Sequence, residues 1–338
     1  MNIYFYPITT KLNRTTQNPY AANFIKALKG FFTIINYHDA SSVGILKTLK
    51  YLFRIDVLLA NWIENLPDKH GGYFQSMYFF LLVFFLKIRN KKLVWIMHNK
   101  LSHNPKNFFI KKVLFKFLLK NADLIITHAK EGIAFARSLS GNDNLNIHHF
   151  PHPTIPTIIK PDHEKGIDIL IWGALAPYKG IEKFLQFIYE KQLEQSYKIR
   201  IVGKITSLKY QEVLTKFQNK HIKIENKFIE KENLEALIRK SKVVLFTYSS
   251  DSVLSSGALI DSLSMRAVII GPNKGNFRDL NQQGLIHVYN DFHELISILD
   301  HLLHTKSTLS QSAMDTYFEE TSWNRFIIEF DQWVRELS

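Results

Sequence analysis

Residues 167–180 read IDILIWGALAPYKG, and the interpretation of the chain starts from this stretch. Ile167–Trp172 is a short apolar run, which predicts a buried strand. A glycine turn follows it and opens a predicted helix at Ile181–Glu190. Strand, glycine turn and helix form the repeating element of a parallel α/β sheet. A loop at this point exposes backbone N–H groups, and Lys179 can neutralise a phosphate there, unless it is simply a solvated lysine.

The same alternation continues in both directions along the chain. Further elements of the second half are predicted as strands at Ile199–Val202, Val243–Thr247 and Ala267–Ile270 and helices at Leu234–Ser241 and Ser256–Ser264. The first half has predicted strands at Asn2–Tyr6, Val57–Ala60, Leu93–Met97 and Leu124–Thr127 and a helix near Pro19–Leu28. The predicted fold class is therefore α/β, with two doubly wound Rossmann-like halves.

Four prolines within the twelve residues 150–161 separate the two halves. Such proline density disfavours helix and predicts a linker. We expect an N-terminal domain at 1–150, a hinge at 151–161 and a second domain from 162 onwards. A cleft between two such halves is the usual place for a ligand.

The composition excludes several classes of protein. The chain has 338 residues with 46% hydrophobic and 22% charged residues, which excludes wholesale disorder. It contains no cysteine, so it has no disulfide scaffold, no cysteine nucleophile and no thiolate metal site. The opening MNIYFYPITT has no basic segment followed by a long apolar run, so no cleavable signal peptide is expected. No P-loop, nucleophile elbow or zinc-binding His-Glu-x-x-His motif is present, and no carboxylate cluster suggests a metal.

The positive charge lies in one half of the chain. The net charge is +13, and residues 1–150 hold 20 Lys and Arg against 7 Asp and Glu, while residues 151–338 hold 23 of each. This asymmetric distribution of charge predicts that the first half binds a polyanion. An anionic membrane surface fits better than nucleic acid, because no nucleic-acid-binding module is recognisable. A generally basic composition without a functional patch is the alternative.

Two segments of the first half place large apolar residues beside or among basic residues. Met77–Leu86 (MYFFLLVFFL) is apolar throughout, but its ten residues are about half the number needed to span a bilayer. Asn107–Lys120 (NFFIKKVLFKFLLK) places phenylalanines among four lysines, including Lys111, Lys112 and Lys116. This pattern suits a helix that lies at a membrane surface. Alternatively, both segments cover the sheet and their lysines are merely solvated.

The second half carries further polar residues at predicted strand ends. Gly203-Lys204 follows one strand. Ser255-Ser256-Gly257 begins the helix after another strand, and small residues there allow a diphosphate to approach free N–H groups, although simple N-capping explains the serines as well. Asp261 lies about one turn further on, where it accepts hydrogen bonds from sugar hydroxyls or is an ordinary surface acid.

Two histidines follow strands of the first half. His98 ends LVWIMH and His128 ends LIITH, and such positions in an open α/β sheet face the ligand site, where a histidine acts as general base or binds an acceptor. A lone histidine more often has a structural role, which is the interpretation for His148, His149 and His163.

In their order and spacing, these motifs resemble those of the nucleotide-sugar glycosyltransferases of the GT-B fold, near family 4 and the related β-mannosyltransferase-like bacterial enzymes. The resemblance covers nearly the whole chain. It rests on the following segments: Asn18-Pro19-Tyr20, Trp95–His103, Pro177–Gly180, Gly203-Lys204, Tyr248–Pro272 and Ser322-Trp323.

The resemblance implies a role for each candidate residue. The second domain, 162–320, would hold the nucleotide diphosphate sugar, and residues 321–338 would form a terminal helix that returns to the N-terminal domain, which binds the acceptor. The phosphates would bind to Lys179, Ser255, Ser256 and Gly257, with Lys204 nearby. Phe228–Glu230 would lie close to the base of the nucleotide, and Asp261 would lie close to the ribose or the sugar. His98 would lie beside the transferred sugar. The acceptor side would comprise Asn18, Tyr20, Asn99, His103 and His128. Such enzymes generally need no bound metal.

The expected activity is transfer of a hexose, from GDP-mannose or else a UDP-sugar, to a lipid-linked or growing saccharide. This would be a step in bacterial lipopolysaccharide, capsule or exopolysaccharide synthesis, at the inner face of the cytoplasmic membrane. Two departures from the resemblance leave alternatives open. Val253 stands where many relatives have the first of two glutamates, and no arginine follows Gly173. The alternatives are a sugar-nucleotide epimerase of the same fold and a non-catalytic nucleotide-sugar-binding subunit.

Overall fold

The structure is a computed structural model that describes residues 1–8, 19–39, 43–100, 106–157, 165–305 and 310–337. The chain divides into two compact units. The first unit comprises Met1–Pro153 together with Thr321–Ser338, and the second comprises Thr154–Glu320.

The first unit is built on a six-stranded, all-parallel sheet with the strand order β2-β1-β3-β4-β5-β6. Its strands are β1 (Asn2–Tyr6), β2 (Thr33–Ile34), β3 (Val57–Asn61), β4 (Lys92–Met97), β5 (Leu124–Thr127) and β6 (Ile147–His149). Its helices are α1 (Pro19–Leu28), α2 (Gly72–Ile88), α3 (Phe108–Asn121), α4 (Lys130–Ser140) and, at the end of the chain, α12 (Trp323–Arg335). Short 3₁₀ segments cover Gly44–Tyr51 and Ile63–Asp68.

The second unit repeats this architecture with the strand order β12-β11-β10-β7-β8-β9, again all parallel. Its strands are β7 (Ile167–Trp172), β8 (Ile199–Gly203), β9 (Ile222–Asn226), β10 (Ser241–Leu245), β11 (Ile269–Pro272) and β12 (His287–Tyr289). Its helices are α5 (Ile181–Glu190), α6 (Leu208–Thr215), α7 (Lys231–Arg239), α8 (Gly257–Ser264), α9 (Gly275–Gln282), α10 (Phe292–His304) and α11 (Gln311–Glu320). The predicted class, α/β with two Rossmann-like domains, is confirmed.

The short strands and the polar strand were not predicted from the sequence. β2, β6 and β12 have only two or three residues, and β9 alternates isoleucine with charged residues. Three predicted elements are shifted by two or three residues, namely α7, β10 and β11. Central strands were found because a parallel sheet covered on both faces needs near-continuous apolar runs.

Helices cover both faces of the first sheet. On one face α1 and α12 pack through Phe24, Phe326 and Phe330, whose rings lie 5.1–6.2 Å apart. On the other face α3 places Phe115 edge-on against Trp95 of β4, with ring centroids 4.8 Å apart. Helix α12 therefore belongs to the core of the first unit, although it is the last element of the chain.

The structure corrects one expectation about Asn107–Lys120. Lys111 is not at the surface, because its side chain is 2% exposed and its Nζ lies 2.5 Å from a carboxylate oxygen of Asp68. The reason is helical periodicity: Lys111 shares with Leu114, Phe115 and Leu118 the face of α3 that packs inward. Among the described residues, no helix is long and apolar enough to cross a membrane.

Candidate functional site

The turn after β7 holds a buried ammonium group. β7 ends at Trp172, a 3₁₀ turn covers Pro177–Lys179, and α5 begins at Ile181. Lys179 is only 6% exposed. None of the described residues accepts a hydrogen bond from its Nζ or forms an ion pair with it, and its Nζ lies 5.2 Å from the centroid of the Tyr248 ring. Burial lowers the pKa of Lys179. A buried cation without a counter-charge is costly, so an anion at this position would be stabilising.

Two glycines leave room beside this ammonium. Gly173 has φ +103°, and a Cβ there would lie 3.0 Å from Lys179 Nζ and 3.8 Å from the Cβ of Ala258 in α8. A Cβ on Gly203 would lie 1.7 Å from the Gly173 carbonyl oxygen, so the end of β8 packs directly on the turn. Any side chain at Gly173 would fill the space between Lys179 and the start of α8.

The N-terminus of α8 adds hydrogen-bond donors to the same place. Ser256 caps the helix, because its Oγ accepts a hydrogen bond from the Leu259 N–H at 3.2 Å, and it lies 3.0 Å from the Tyr248 hydroxyl. Within the described chain, the N–H groups of Gly257 and Ala258 have no acceptor. Free N–H groups and the positive end of the helix dipole attract anions. The indole N–H of Trp172 donates to Ser262 Oγ at 2.8 Å, which ties α8 to the end of β7.

The structure thus brings together Lys179, Ser256 and Gly257 as a candidate anion-binding site, which we call the Lys179 site. Ser255 lies next to them, and its Oγ accepts a hydrogen bond from the side-chain amide of Asn276 at 3.2 Å. Lys204 immediately follows the strand end that packs on the Gly173 turn, and its side chain is exposed.

The remaining candidates of the second unit occupy flanking positions. Asp261 is half-buried on α8, one turn beyond Gly257, and burial raises the pKa of Asp261 to about 6, while the Lys231 charge opposes this shift. Glu230 is exposed immediately before α7, two residues after the exposed Phe228. Asn276 was missed by the sequence analysis, although it is buried and its Oδ1 has no hydrogen-bond partner. No sequence pattern distinguishes it from other helix-start asparagines.

A second cluster forms where β3, β4 and β5 of the first unit end. His98 is buried, and its ring stacks on Trp62 with centroids 4.3 Å apart and 10° between planes. His98 Nε2 lies 3.3 Å from Asn61 Oδ1, and the Asn61 amide nitrogen donates to the Tyr6 carbonyl oxygen. Asn61 Oδ1 can only accept, so His98 Nε2 carries the proton and Nδ1 remains an acceptor without a partner among the described residues.

Burial lowers the pKa of His98 to about 3, with a smaller contribution from His152. The imidazole is therefore neutral near pH 7. A base of such low pKa holds protons weakly, so His98 Nδ1 is suited to accepting a hydrogen bond from a hydroxyl group rather than to removing its proton.

His128 has a different role from the one expected. Its Nδ1 donates to the Phe150 carbonyl oxygen at 2.8 Å, and its Nε2 therefore accepts from the Tyr20 hydroxyl, also at 2.8 Å. Both nitrogens are engaged within the protein and the ring is buried, so His128 offers no atom to a ligand. Instead it orients Tyr20, whose ring centroid lies 4.9 Å from that of His98.

Of the other acceptor-side candidates, Asn99 is half-buried directly after His98. Asn18 and His103 lie outside the described residues. Trp62 is a residue of this cluster that the sequence analysis missed. It has φ +48°, a left-handed conformation that is unusual for a bulky residue, and such strain is common at functional sites. Its signal was a tryptophan immediately after the strand VLLAN.

Among the residues that the structure describes, no group of three or more His, Asp or Glu side chains could hold a metal ion.

Comparisons with known proteins give structural matches only. No protein-family model matches the sequence, and no curated protein is significantly similar to it. Anabaena HepE in complex with UDP is 12% identical over 98% of this chain and 99% of its own, with a TM-score of 0.67. A glycosyltransferase from Rickettsia africae is 13% identical, with coverages of 97% and 84% and a TM-score of 0.58.

A third match is S. aureus TarM in complex with fondaparinux, α-GlcNAc-glycerol and UDP. It is 11% identical over 82% of this chain and 55% of its own, with a TM-score of 0.59. At such low identity these similarities establish the architecture, in which two Rossmann-like α/β domains follow one another. The chain has the GT-B fold.

Proposed function

We propose that this protein is a glycosyltransferase that transfers a hexose from a nucleotide diphosphate sugar to a saccharide acceptor. The observation that carries the proposal is the buried ammonium of Lys179, which no described residue pairs with, beside the N–H groups of Gly257 and Ala258, which likewise have no acceptor in the described part of the chain. This arrangement suits a diphosphate, and Anabaena HepE, which has the same fold, is known in complex with UDP-glucose. The motif resemblance to family 4 and β-mannosyltransferase-like enzymes supports the same conclusion.

The Lys179 site would act on the leaving group. When the bond between the sugar and the diphosphate breaks, negative charge develops on the diphosphate oxygens. The ammonium of Lys179 and the N–H groups of Gly257 and Ala258 are already in position, so they stabilise this charge without reorganising. Ser255 and Ser256 would contact the phosphates, Lys204 would provide a second cation, and Asp261 would accept hydrogen bonds from ribose or sugar hydroxyls.

In the first unit, His98 would accept a hydrogen bond from a sugar hydroxyl through Nδ1. Asn61 holds the tautomer that leaves this nitrogen free, and Trp62 holds the ring plane. We propose that this unit binds the acceptor, a lipid-linked or growing saccharide, with Tyr20 and Asn99 close to it.

The nucleotide of the donor has two candidates. The motif resemblance favours GDP-mannose, whereas the similar structures of HepE and TarM contain UDP. We further propose a place in bacterial surface polysaccharide synthesis, such as lipopolysaccharide or capsule, with the protein held peripherally at the inner face of the cytoplasmic membrane. The one-sided positive charge supports this location.

The first experiment is a thermal-shift screen against UDP, GDP, ADP, CMP and dTDP. A ligand that binds only the native state stabilises it by about 2.7 kcal/mol at 100 times its Kd, so one nucleotide should raise Tm clearly. Lys179→Met should strongly reduce that shift. Lys183→Met is the matched control, because Lys183 is exposed on α5 one turn away and loses the same charge. Equal shifts in both variants would contradict the proposed site.

A non-catalytic nucleotide-sugar-binding protein is the second candidate. Val253 stands where a glutamate would bind the donor in the resembling enzymes, and it is buried in an apolar cluster, so this position contributes no polar group. Sugar release from the donor with a saccharide acceptor distinguishes the two. Nucleotide binding without any transfer would favour the binding protein, and turnover without acceptor would favour an epimerase.

A further inference from the structure

The outer side of α2 carries a row of exposed apolar side chains. Phe74, Met77, Leu81, Phe84 and Ile88 are each 54–66% exposed. Their spacing of three and four residues places them within about 80° of one another around the helix. The inner side of α2, with Phe79, Leu82 and Leu86 among others, is buried against the protein.

A helix that is apolar all round is expected to be covered on every side. In α2 only the inner side is covered, and five large apolar residues in one row form a contiguous exposed patch of the kind that marks an interaction site. The length of α2, 17 residues, corresponds to about 25 Å, and its position against the sheet keeps its outer side at the surface. We therefore expect the outer side of α2 to bind a partner.

The neighbouring helix α3 supplies positive charge next to this row. Phe117 of α3 contacts Phe80 of α2, with ring centroids 4.6 Å apart. Lys112, Lys116 and Lys120 are exposed on α3, and none of them forms an ion pair with a described residue. Phe109 and Val113 lie on the same face of α3 and are exposed too.

The acidic residues around these helices do not offset the charge. Asp56, Asp68 and Asp123 each form an ion pair with a lysine, and Glu64 is buried. They are the only four acids between residues 43 and 123, against fourteen Lys and Arg. The surface therefore combines an apolar row with uncompensated cations.

We propose that this α2–α3 surface, made of Phe74, Met77, Leu81, Phe84 and Ile88 with Lys112, Lys116 and Lys120, docks on an anionic lipid bilayer. The apolar row of α2 enters the boundary between headgroups and acyl chains, with the helix parallel to the membrane. The α3 lysines contact the anionic headgroups, and their long apolar stems allow their charges to remain in the headgroup layer. A protein partner would need acidic groups that match three solvated lysines, whereas any anionic bilayer provides them.

The inference deepens the proposed function, since a lipid-linked acceptor is available only at a membrane. It also refines the sequence-based expectation that Asn107–Lys120 lies at a membrane surface. The structure assigns insertion to α2 and charge recognition to α3, and it removes Lys111 from the surface.

The test is co-sedimentation of the full chain with vesicles, without any sugar nucleotide, so that failure of docking and failure of transfer are measured separately. The probes are vesicles of phosphatidylcholine with 30% phosphatidylglycerol and vesicles of phosphatidylcholine alone. We expect binding to the anionic vesicles that weakens as salt rises. Replacing Lys112, Lys116 and Lys120 with Glu should weaken it by at least about 100-fold, since each lost cation contributes about a factor of five.

A second variant, Met77→Ser/Leu81→Ser/Phe84→Ser, removes the centre of the apolar row. It should lose vesicle binding at every salt concentration while keeping its circular dichroism spectrum, because all three residues are exposed. Matched controls lie in the second unit: Lys216, Lys220 and Lys223 changed to Glu carry the same charge change, and Leu208→Ser removes another exposed apolar side chain. Both controls should bind like wild type.

The proposal would be overturned if wild type did not sediment with anionic vesicles, or if the site variants bound as well as the controls. It would also be overturned if light scattering showed a dimer that the serine variant converts to a monomer without changing vesicle binding. The last outcome would assign the surface to a second copy of the chain.

Discussion

The substitution Lys179→Met tests two effects of the buried ammonium separately: its effect on the free energy of unfolding and its effect on nucleotide affinity. Methionine keeps most of the unbranched apolar stem and removes only the charged end. In the free protein Lys179 is only 6% exposed, and the described residues provide its ammonium group with no acceptor. Removing a buried polar group that lacks a hydrogen bond should raise the free energy of unfolding by about 1–3 kcal/mol. For a domain of the size of the second unit, Thr154–Glu320, each kcal/mol corresponds to about 2–4 °C in Tm.

The same substitution should weaken nucleotide binding. A hydrogen bond between an ammonium and a phosphate contributes about 1.5–3 kcal/mol, so the Kd for the nucleoside diphosphate should rise by about 10- to 150-fold. At a ligand concentration of 100 times the wild-type Kd, wild type gains about 2.7 kcal/mol. A variant that binds 100-fold more weakly would gain only about 0.4 kcal/mol at that concentration.

Denaturant unfolding without ligand and titration calorimetry with the nucleotide selected in the screen measure the two effects. The decisive feature is their opposite sign: higher stability together with lower affinity. Lys183→Met, at an exposed position of α5, should change neither quantity appreciably. A Lys179→Met protein that is less stable than wild type and binds the nucleotide equally well would refute the assignment, because Lys179 would then be an ordinary packing residue.

Three further predictions concern titratable groups. Burial raises the pKa of Glu64 to about 7, so the native state is favoured while this carboxyl group is protonated, and that stability is lost as pH rises through 7. Relative to wild type, Glu64→Gln should therefore gain about 2–3 kcal/mol of unfolding free energy between pH 5 and pH 8. Urea unfolding curves that differ between the two proteins by the same amount at both pH values would contradict this. His98→Ala should reduce transfer about 10- to 100-fold with the fold intact, and near-wild-type turnover would remove His98 from the mechanism. Because the pKa of Asp261 is raised to about 6, donor affinity should decline below pH 6 in wild type, while Asp261→Asn should show a flat profile in the same calorimetric titration.

The sequence alone determined the fold class, and it pointed to the residues of the proposed Lys179 site. Strands covered on both faces must be apolar, so the runs at Val57, Leu93, Ile167 and Val243 were recognisable without a structure. The turn IWGALAPYKG and the serines before α8 were recognisable as well, because phosphate binding needs glycine, a cation and small residues at a helix start. These signals are local, and each lies within about fifteen residues.

Only the tertiary structure decided which of the candidates are available to a ligand. The sequence shows a lysine at 179, but its lack of a partner depends on Tyr248 and Gly173 lying around it. His98 and His128 look alike in sequence, yet Asn61 leaves one nitrogen of His98 free, while Tyr20 and Phe150 occupy both nitrogens of His128.

The two helices of the docking surface show the same division. Helical periodicity predicts which residues share a face of a helix. It does not predict which face packs on the sheet when both faces are apolar, as in α2, or when both carry lysines, as in α3. Packing against β4 and Asp68 made that choice, turning Lys111 inward and leaving Leu81 and Phe84 outside. Burial depends on contacts between residues far apart in the chain, and such contacts exist only once the sheet has formed.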